Sequence, residues 1–187
     1  AQEAAVVAAA QQVEVTGHYI NAVGTSDAAS QGVINASLLR SRPALRPGEV
    51  LEFIPGMIVT QHAGDGKANQ YFLRGFNLDH GTDFASYVDG VPVNMPTHAH
   101  GQGYADINFL IHELVDTVHY RKGPYFAEEG NFSAAGAARI SYVSDSGAPT
   151  LGLTVGEDNY YRLFASASPQ VAGGTLLLGL DWSQTDG

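Results

Sequence analysis

The chain holds seven histidines and no cysteine in 187 residues, so a thiolate metal site is excluded and imidazole and carboxylate are the metal donors left to it. His98 and His100 are two apart. In extended backbone, side chains at that spacing project to the same side, which lets both imidazoles reach one cation or a ferric chelate. Asp79-His80 and the acids near it extend the donor set. The same residue types serve a second chemistry, in which a bound cation lowers the pKa of a water for hydrolysis. No nucleophile elbow, His-Glu-x-x-His or phosphate-cradling glycine loop accompanies them, so binding is favoured over catalysis. A soluble ligand-binding domain or a metal-dependent hydrolase with a His/Asp site stays as the alternative. The simplest account of these histidines is hydrogen bonding to loop carbonyls or to water in a polar cavity. His112 and His119 fall in predicted regular elements and read as structural, and His18 as a loop residue.

The elements that must position these groups are short. Residues 1–12 are Ala, Gln and Val with little to pack and read as a flexible terminal segment, and Ala1-Gln2-Glu3 reads as a mature N-terminus left by a small-residue cleavage site. Residues 13–145 alternate short apolar runs with Gly and Pro, the texture of a mixed α/β domain. Val13-Glu14-Val15-Thr16 reads as a strand. Val50, Leu51 and Ile54 have helical spacing, with Pro55-Gly56 ending the helix before a strand from Met57 to Thr60. Gln70 to Leu73 and Ala85 to Val88 read as strands, and Asp89-Gly90 is a two-residue hairpin turn into Val91-Pro92-Val93. Ile107, Leu110, Ile111 and Leu114 predict a short helix capped by Asp106, followed by a strand from Val115 to Tyr120.

Residues 146–187 change period. Leu151, Leu153 and Val155 alternate with Gly and Thr, and Leu176, Leu178, Leu180 and Trp182 oppose Thr175, Gly179, Asp181 and Ser183. Such strands suit a transmembrane β-barrel, with lipid outside and water inside, and equally a soluble antiparallel sheet. Three strands cannot close a barrel, since the smallest need about eight, so the barrel reading makes this chain a fragment. No apolar run approaches the roughly 20 residues of a membrane-spanning helix. A net charge of -10 with nine Lys and Arg disfavours a nucleic-acid surface, which needs clustered cations.

One ordered set of motifs goes further: Pro55-Gly56-Met57-Ile58-Val59, Tyr71-Phe72-Leu73-Arg74-Gly75-Phe76, Tyr87-Val88-Asp89-Gly90-Val91-Pro92-Val93-Asn94 and Arg121-Lys122-Gly123-Pro124. Each is weak by itself. In this order and spacing the set resembles the plug domain of TonB-dependent outer-membrane receptors, and residues 13–143 follow the family's segment order throughout. Lys122, between Arg121 and Gly123, departs from the family's Arg-Gly-Pro, and Ala127-Glu128-Glu129-Gly130 and Ala135-Gly136-Ala137 replace its usual glycines. The resemblance implies an α+β plug, a mixed four-stranded sheet with short helices, lodged inside a roughly 22-stranded antiparallel barrel. Residues 1–12, 13–145 and 146–187 would then be the N-terminal segment, the plug and the first barrel strands.

By the same resemblance, the loops 61–69, 77–84 and 95–104 face outward and carry the ligand-binding candidates His62, Asp79, His80, Asp83, His98, His100, Gln102 and Tyr104, with Asp65 among them. His98 and His100 are the metal candidates. No resident cofactor is implied, only iron or another metal within the transported ligand. Arg74 and Arg121 are expected to pair plug with barrel wall. The energy-coupling protein TonB would meet Glu3, Ala4, Ala5, Val6 and Val7, or the rival segment Gln12 to Thr16, by strand addition. The other expected partners are a small-molecule or metal-chelate ligand and outer-membrane lipid.

Overall fold

A computed structural model describes residues 30–62 and 66–186. The expected strand at 13–16, both candidate TonB segments, His18 and Asp65 lie outside the described residues.

The chain enters as β1 (Gln31–Asn35), and the Asn35 side chain accepts a hydrogen bond from the Leu38 N–H at 3.1 Å to start the four-residue helix α1 (Ala36–Leu39). The expected helix around Val50 is a 3₁₀ segment, Pro47–Phe53, with Val50 and Leu51 buried. Gly56, at φ 86°, turns the chain into β2 (Met57–Thr60), which pairs antiparallel with β3 (Gln70–Leu73), and β3 in turn with β4 (Phe76–Asn77). Both longer strands fall where their alternation placed them. The hairpin follows: β5 (Phe84–Val88) and β6 (Val91–Pro92) are joined by Asp89 at φ 46° and Gly90 at φ 82°, the left-handed pair such a turn demands.

The expected helix over Ile107–Leu114 does not form. Leu110 and Leu114 each donate back three residues, to Ile107 and Ile111, which makes single turns ending in the 3₁₀ segment His112–Leu114. Asp106 does accept from the Asn108 N–H at 2.8 Å, and Ile107, Leu110 and Leu114 are buried as the stripe required. The apolar spacing thus marks the buried side without making a continuous helix.

β7 (Val115–Lys122) and β8 (Gly136–Tyr142) complete the central sheet in the order β1-β7-β8-β5-β6, antiparallel except for the parallel β5–β8 pair. The sheet is mixed as expected, with five strands rather than four, the fifth being the two-residue β6. Gly136 permits its closest approach: a Cβ there would lie 2.2 Å from the Arg121 carbonyl oxygen. Ile34, Leu51, Ile54, Tyr71, Phe84, Val118 and Ile140 form the core between this sheet and the β2-β3-β4 layer.

The remaining strands form a second body. β9 (Thr150–Val155), β10 (Tyr161–Ala167) and β13 (Leu178–Gln184) make an antiparallel sheet in the order β13-β10-β9, with the small hairpin β11 (Gln170–Val171) and β12 (Gly174–Thr175) between. Its registers align Leu153, Leu163 and Trp182, and likewise Leu151, Ala165 and Leu180, so one face is an unbroken apolar row. Leu153, Leu151 and Trp182 are 77%, 71% and 51% exposed, while Phe164 and Ser166 on the opposite face are buried.

Candidate functional site

Two loops meet at one end of the β2-β3-β4 layer because backbone and amide bonds clamp them. Asp79 takes a left-handed φ of 51°, its N–H donating to Asn77 Oδ1 at 2.8 Å and its carbonyl accepting from Tyr71. The His80 carbonyl accepts from the Ala105 N–H, and the Thr82 hydroxyl donates to the Gln102 carbonyl, both at 2.8 Å. Asn94 joins the two: its amide nitrogen donates to the carbonyls of Gly81, Phe84 and Gly103 at 2.9–3.0 Å, and its oxygen accepts from the Ser86 N–H at 2.7 Å. A buried amide with partners for both ends fixes loop geometry.

Within that frame three aromatic rings gather around His80 and a fourth packs on one of them. Centroid separations are 5.1 Å to His62, 4.5 Å to His100 and 5.5 Å to Tyr104, and His98 stacks on Tyr104 at 4.0 Å. Tyr104 is itself pinned, its hydroxyl accepting from the Ala68 N–H at 2.6 Å. His80 is 4% exposed, and its Nδ1 lies 2.9 and 3.1 Å from the carbonyl oxygens of Ala68 and Asn69. Two carbonyls accept only, so Nδ1 carries a proton, the tautomer in which a neutral ring has its lone pair on Nε2. Nε2 points to Asp79 Oδ1, 3.7 Å away. The donor atoms of Asp79, His80 and His100 all lie within 4.8 Å of one another. Desolvation, then the neighbouring His80 and Lys67, hold the His100 imidazole below its ordinary pKa against the pull of Asp79.

The sequence candidates therefore sort unevenly. His62, Asp79, His80, His98, His100 and Tyr104 come together. His98 and His100 were expected to share one cation, but His100 converges with His80 and Asp79, while His98 Nδ1 accepts the His100 N–H at 3.2 Å and its ring covers Tyr104. The local turn between the two rings replaces the extended backbone that the same-side argument required. Asp83 and Gln102 are exposed, held by their backbone carbonyls to Ala135 and Thr82, and stand outside the donor set. Asn94 was quoted only as part of the hairpin motif; a polar residue where β6 stops alternating was the signal for its role.

A second polar site joins the two bodies. Arg162 on β10 donates to both Glu113 oxygens at 2.6 and 2.9 Å, and through Nε and Nη2 to Asp181 on β13. Burial, the largest single influence, pushes the Glu113 carboxyl up, but the Arg162 hydrogen bonds, a backbone hydrogen bond and the His112 and Arg162 charges together outweigh it and leave the group below its ordinary value. Gly179 on β13 sits under the same turn, where a Cβ would come within 2.6 Å of Leu114. Arg121, one of the two arginines expected to pair plug with barrel wall, has carboxylate partners in Glu128 and Glu129 within its own domain, and Arg74, the other, is exposed. Arg162 was not among the residues the sequence singled out.

Residues 25–137 match the family model described as TonB-dependent Receptor Plug Domain. Similar solved structures include the copper transporter OprC, at 20% identity over 86% of this chain with a TM-score of 0.62. The siderophore receptor PirA from Acinetobacter baumannii is 18% identical over 87% of this chain, TM-score 0.62. The ferric enterobactin receptor PfeA from Pseudomonas aeruginosa, in complex with enterobactin, is 20% identical over 78%, TM-score 0.56. These likenesses concern the fold. The chain spans 24%, 25% and 23% of the lengths of those three proteins.

Proposed function

This chain belongs to the TonB-dependent receptor plug family, and from that premise we propose that it is the plug and first wall strands of an outer-membrane receptor that imports a metal-bearing ligand. The family is one of receptors rather than enzymes, so the histidines belong to recognition and not to hydrolysis. No helix among the described residues is long and apolar enough to cross a membrane, which says nothing of strands. The outward apolar row of β9, β10 and β13 is the face we assign to lipid, and the Arg162 face to the lumen.

The observation that carries the ligand reading is the convergence of His62, Asp79, His80, His98, His100 and Tyr104 where two clamped loops meet. Imidazole and carboxylate are donors that suit a cation or the face of a metal chelate. Energy coupling would run through Glu3-Ala4-Ala5-Val6-Val7, an apolar stretch suited to adding a strand to the TonB sheet. The test is accumulation of radiolabelled iron or copper, supplied as chelates, in cells that carry the complete receptor with or without TonB. Uptake that requires both TonB and residues 3–7 is the expected result. Equal accumulation without TonB would refute the transport reading.

A further inference from the structure

We infer that Asp79, His80 and His100 form a three-donor coordination site that binds a divalent transition-metal cation directly, not only as part of a chelate. This rests on the receptor reading and names its cargo class. Three features of the site carry it.

The first is the tautomer. His80 gives its Nδ1 proton to the Ala68 and Asn69 carbonyls, the outer-shell arrangement that orients a ligating imidazole and leaves Nε2 free for a metal. A histidine present only to fill space has no need of two carbonyls fixing one end while the other faces a carboxylate. The second is distance. With metal–donor bonds of about 2.0–2.2 Å, tetrahedral donors stand roughly 3.3–3.6 Å apart. The observed set lies within 4.8 Å, so closure needs a movement of about an ångström, and Asp79 and His100 are exposed side chains free to make it around the anchored His80. The third is donor chemistry. Two imidazoles and one carboxylate select cobalt, nickel, copper or zinc over calcium and magnesium, which prefer all-oxygen shells. Three donors also leave a coordination position open, as a site that must release its cargo requires. The His62 ring, 5.1 Å from His80, and the stacked His98–Tyr104 pair wall the site without adding to the donor set.

The experiment titrates the purified complete receptor with Co²⁺, reads the visible ligand-field bands, and then competes with Zn²⁺. His100→Ala and Asp79→Asn alter exposed side chains and leave the clamp intact; His80→Ala removes the anchor, with circular dichroism checking its fold. Each is expected to weaken Co²⁺ binding at least tenfold, while His119→Ala, an exposed change on β7, has no effect. Wild-type protein that binds no Co²⁺, or His100→Ala and Asp79→Asn receptors that bind it as wild type does, would overturn the site. If chelate uptake stays TonB-dependent in that case, the receptor reading survives alone. Metal bound at this site without TonB-dependent uptake would instead sink the receptor reading and keep the site.

Discussion

The central sheet and the β9-β10-β13 sheet use the same two-residue alternation to opposite ends. In β5, Phe84, Ala85, Ser86 and Val88 are all buried, because the strand has a neighbour on each edge and is covered on both faces. In β9, Leu151, Leu153 and Val155 all point away from the body, while Gly152 turns to Phe164. Burial of apolar side chains drives the first sheet together, whereas the second leaves the row of Leu151, Leu153, Leu180 and Trp182 uncovered and packs Phe164 and Ser166 on its other face. Under the proposed receptor reading, that difference marks a change of solvent from water to lipid. The Arg162–Glu113 contact lies where the two regimes meet.

The comparison breaks most severely if the central sheet loses a core ring. Phe84→Ala should cost about 3–5 kcal/mol, read as a lowered denaturant midpoint for plug unfolding in the complete receptor. Leu180→Arg sharpens the contrast from the other side. On a water-facing strand it would be nearly neutral, but on a lipid-facing one it should cost about 2–4 kcal/mol and lower the yield of assembled barrel in outer-membrane fractions. Assembly equal to wild type would make that face aqueous. Arg162→Met tests the junction: Glu113 and Asp181 lose their common partner, for about 1–3 kcal/mol, seen as faster proteolysis of the plug with the barrel intact.

The smallest effect is that of pH at the same junction. Desolvation lowers the His112 pKa against the pull of Glu113; Arg162 adds to the lowering, and Asp181 and Glu49 oppose it. The unfolded state then binds more protons, so the contribution is full above about pH 6.5 and is lost as pH falls through the folded value. Glu113, held below its ordinary value, loses its contribution lower still, beneath about pH 4.3. Plug protection from protease should therefore decline in two steps on acidification, and His112→Ala should abolish the upper one.

Elements set by local chemistry were legible in the chain alone. Asp89-Gly90 demanded its turn, Met57–Thr60 and Gln70–Leu73 lie where alternation put them, and the outward row of Leu178, Leu180 and Trp182 was readable from parity. Features set by distant partners were not. β1 is a short run whose strand state depends on pairing with β7, some ninety residues later, and nothing in Gln31–Asn35 announces that partner. The Ile107–Leu114 stripe has the spacing of a helix, yet loop tethers such as Asn108 to the Lys67 carbonyl break it into turns. Lys122, which looked like an insertion into Arg-Gly-Pro, is a buried cation reaching the Pro55 carbonyl at 3.4 Å, a contact across sixty-seven positions. In the site, the clustering of His62, His80 and His100 comes from three separate loops, so the partner of His100 was visible only once the Asn94 clamp was in view.

The change of solvent is measured most directly with nitroxide labels on Leu180→Cys and Ser183→Cys of the complete receptor in bilayers, comparing relaxation by oxygen, which concentrates in lipid, with relaxation by a water-soluble nickel chelate. The account predicts oxygen-dominated relaxation at position 180 and nickel-dominated relaxation at position 183, on the opposite face. Nickel-dominated relaxation at position 180 would contradict it.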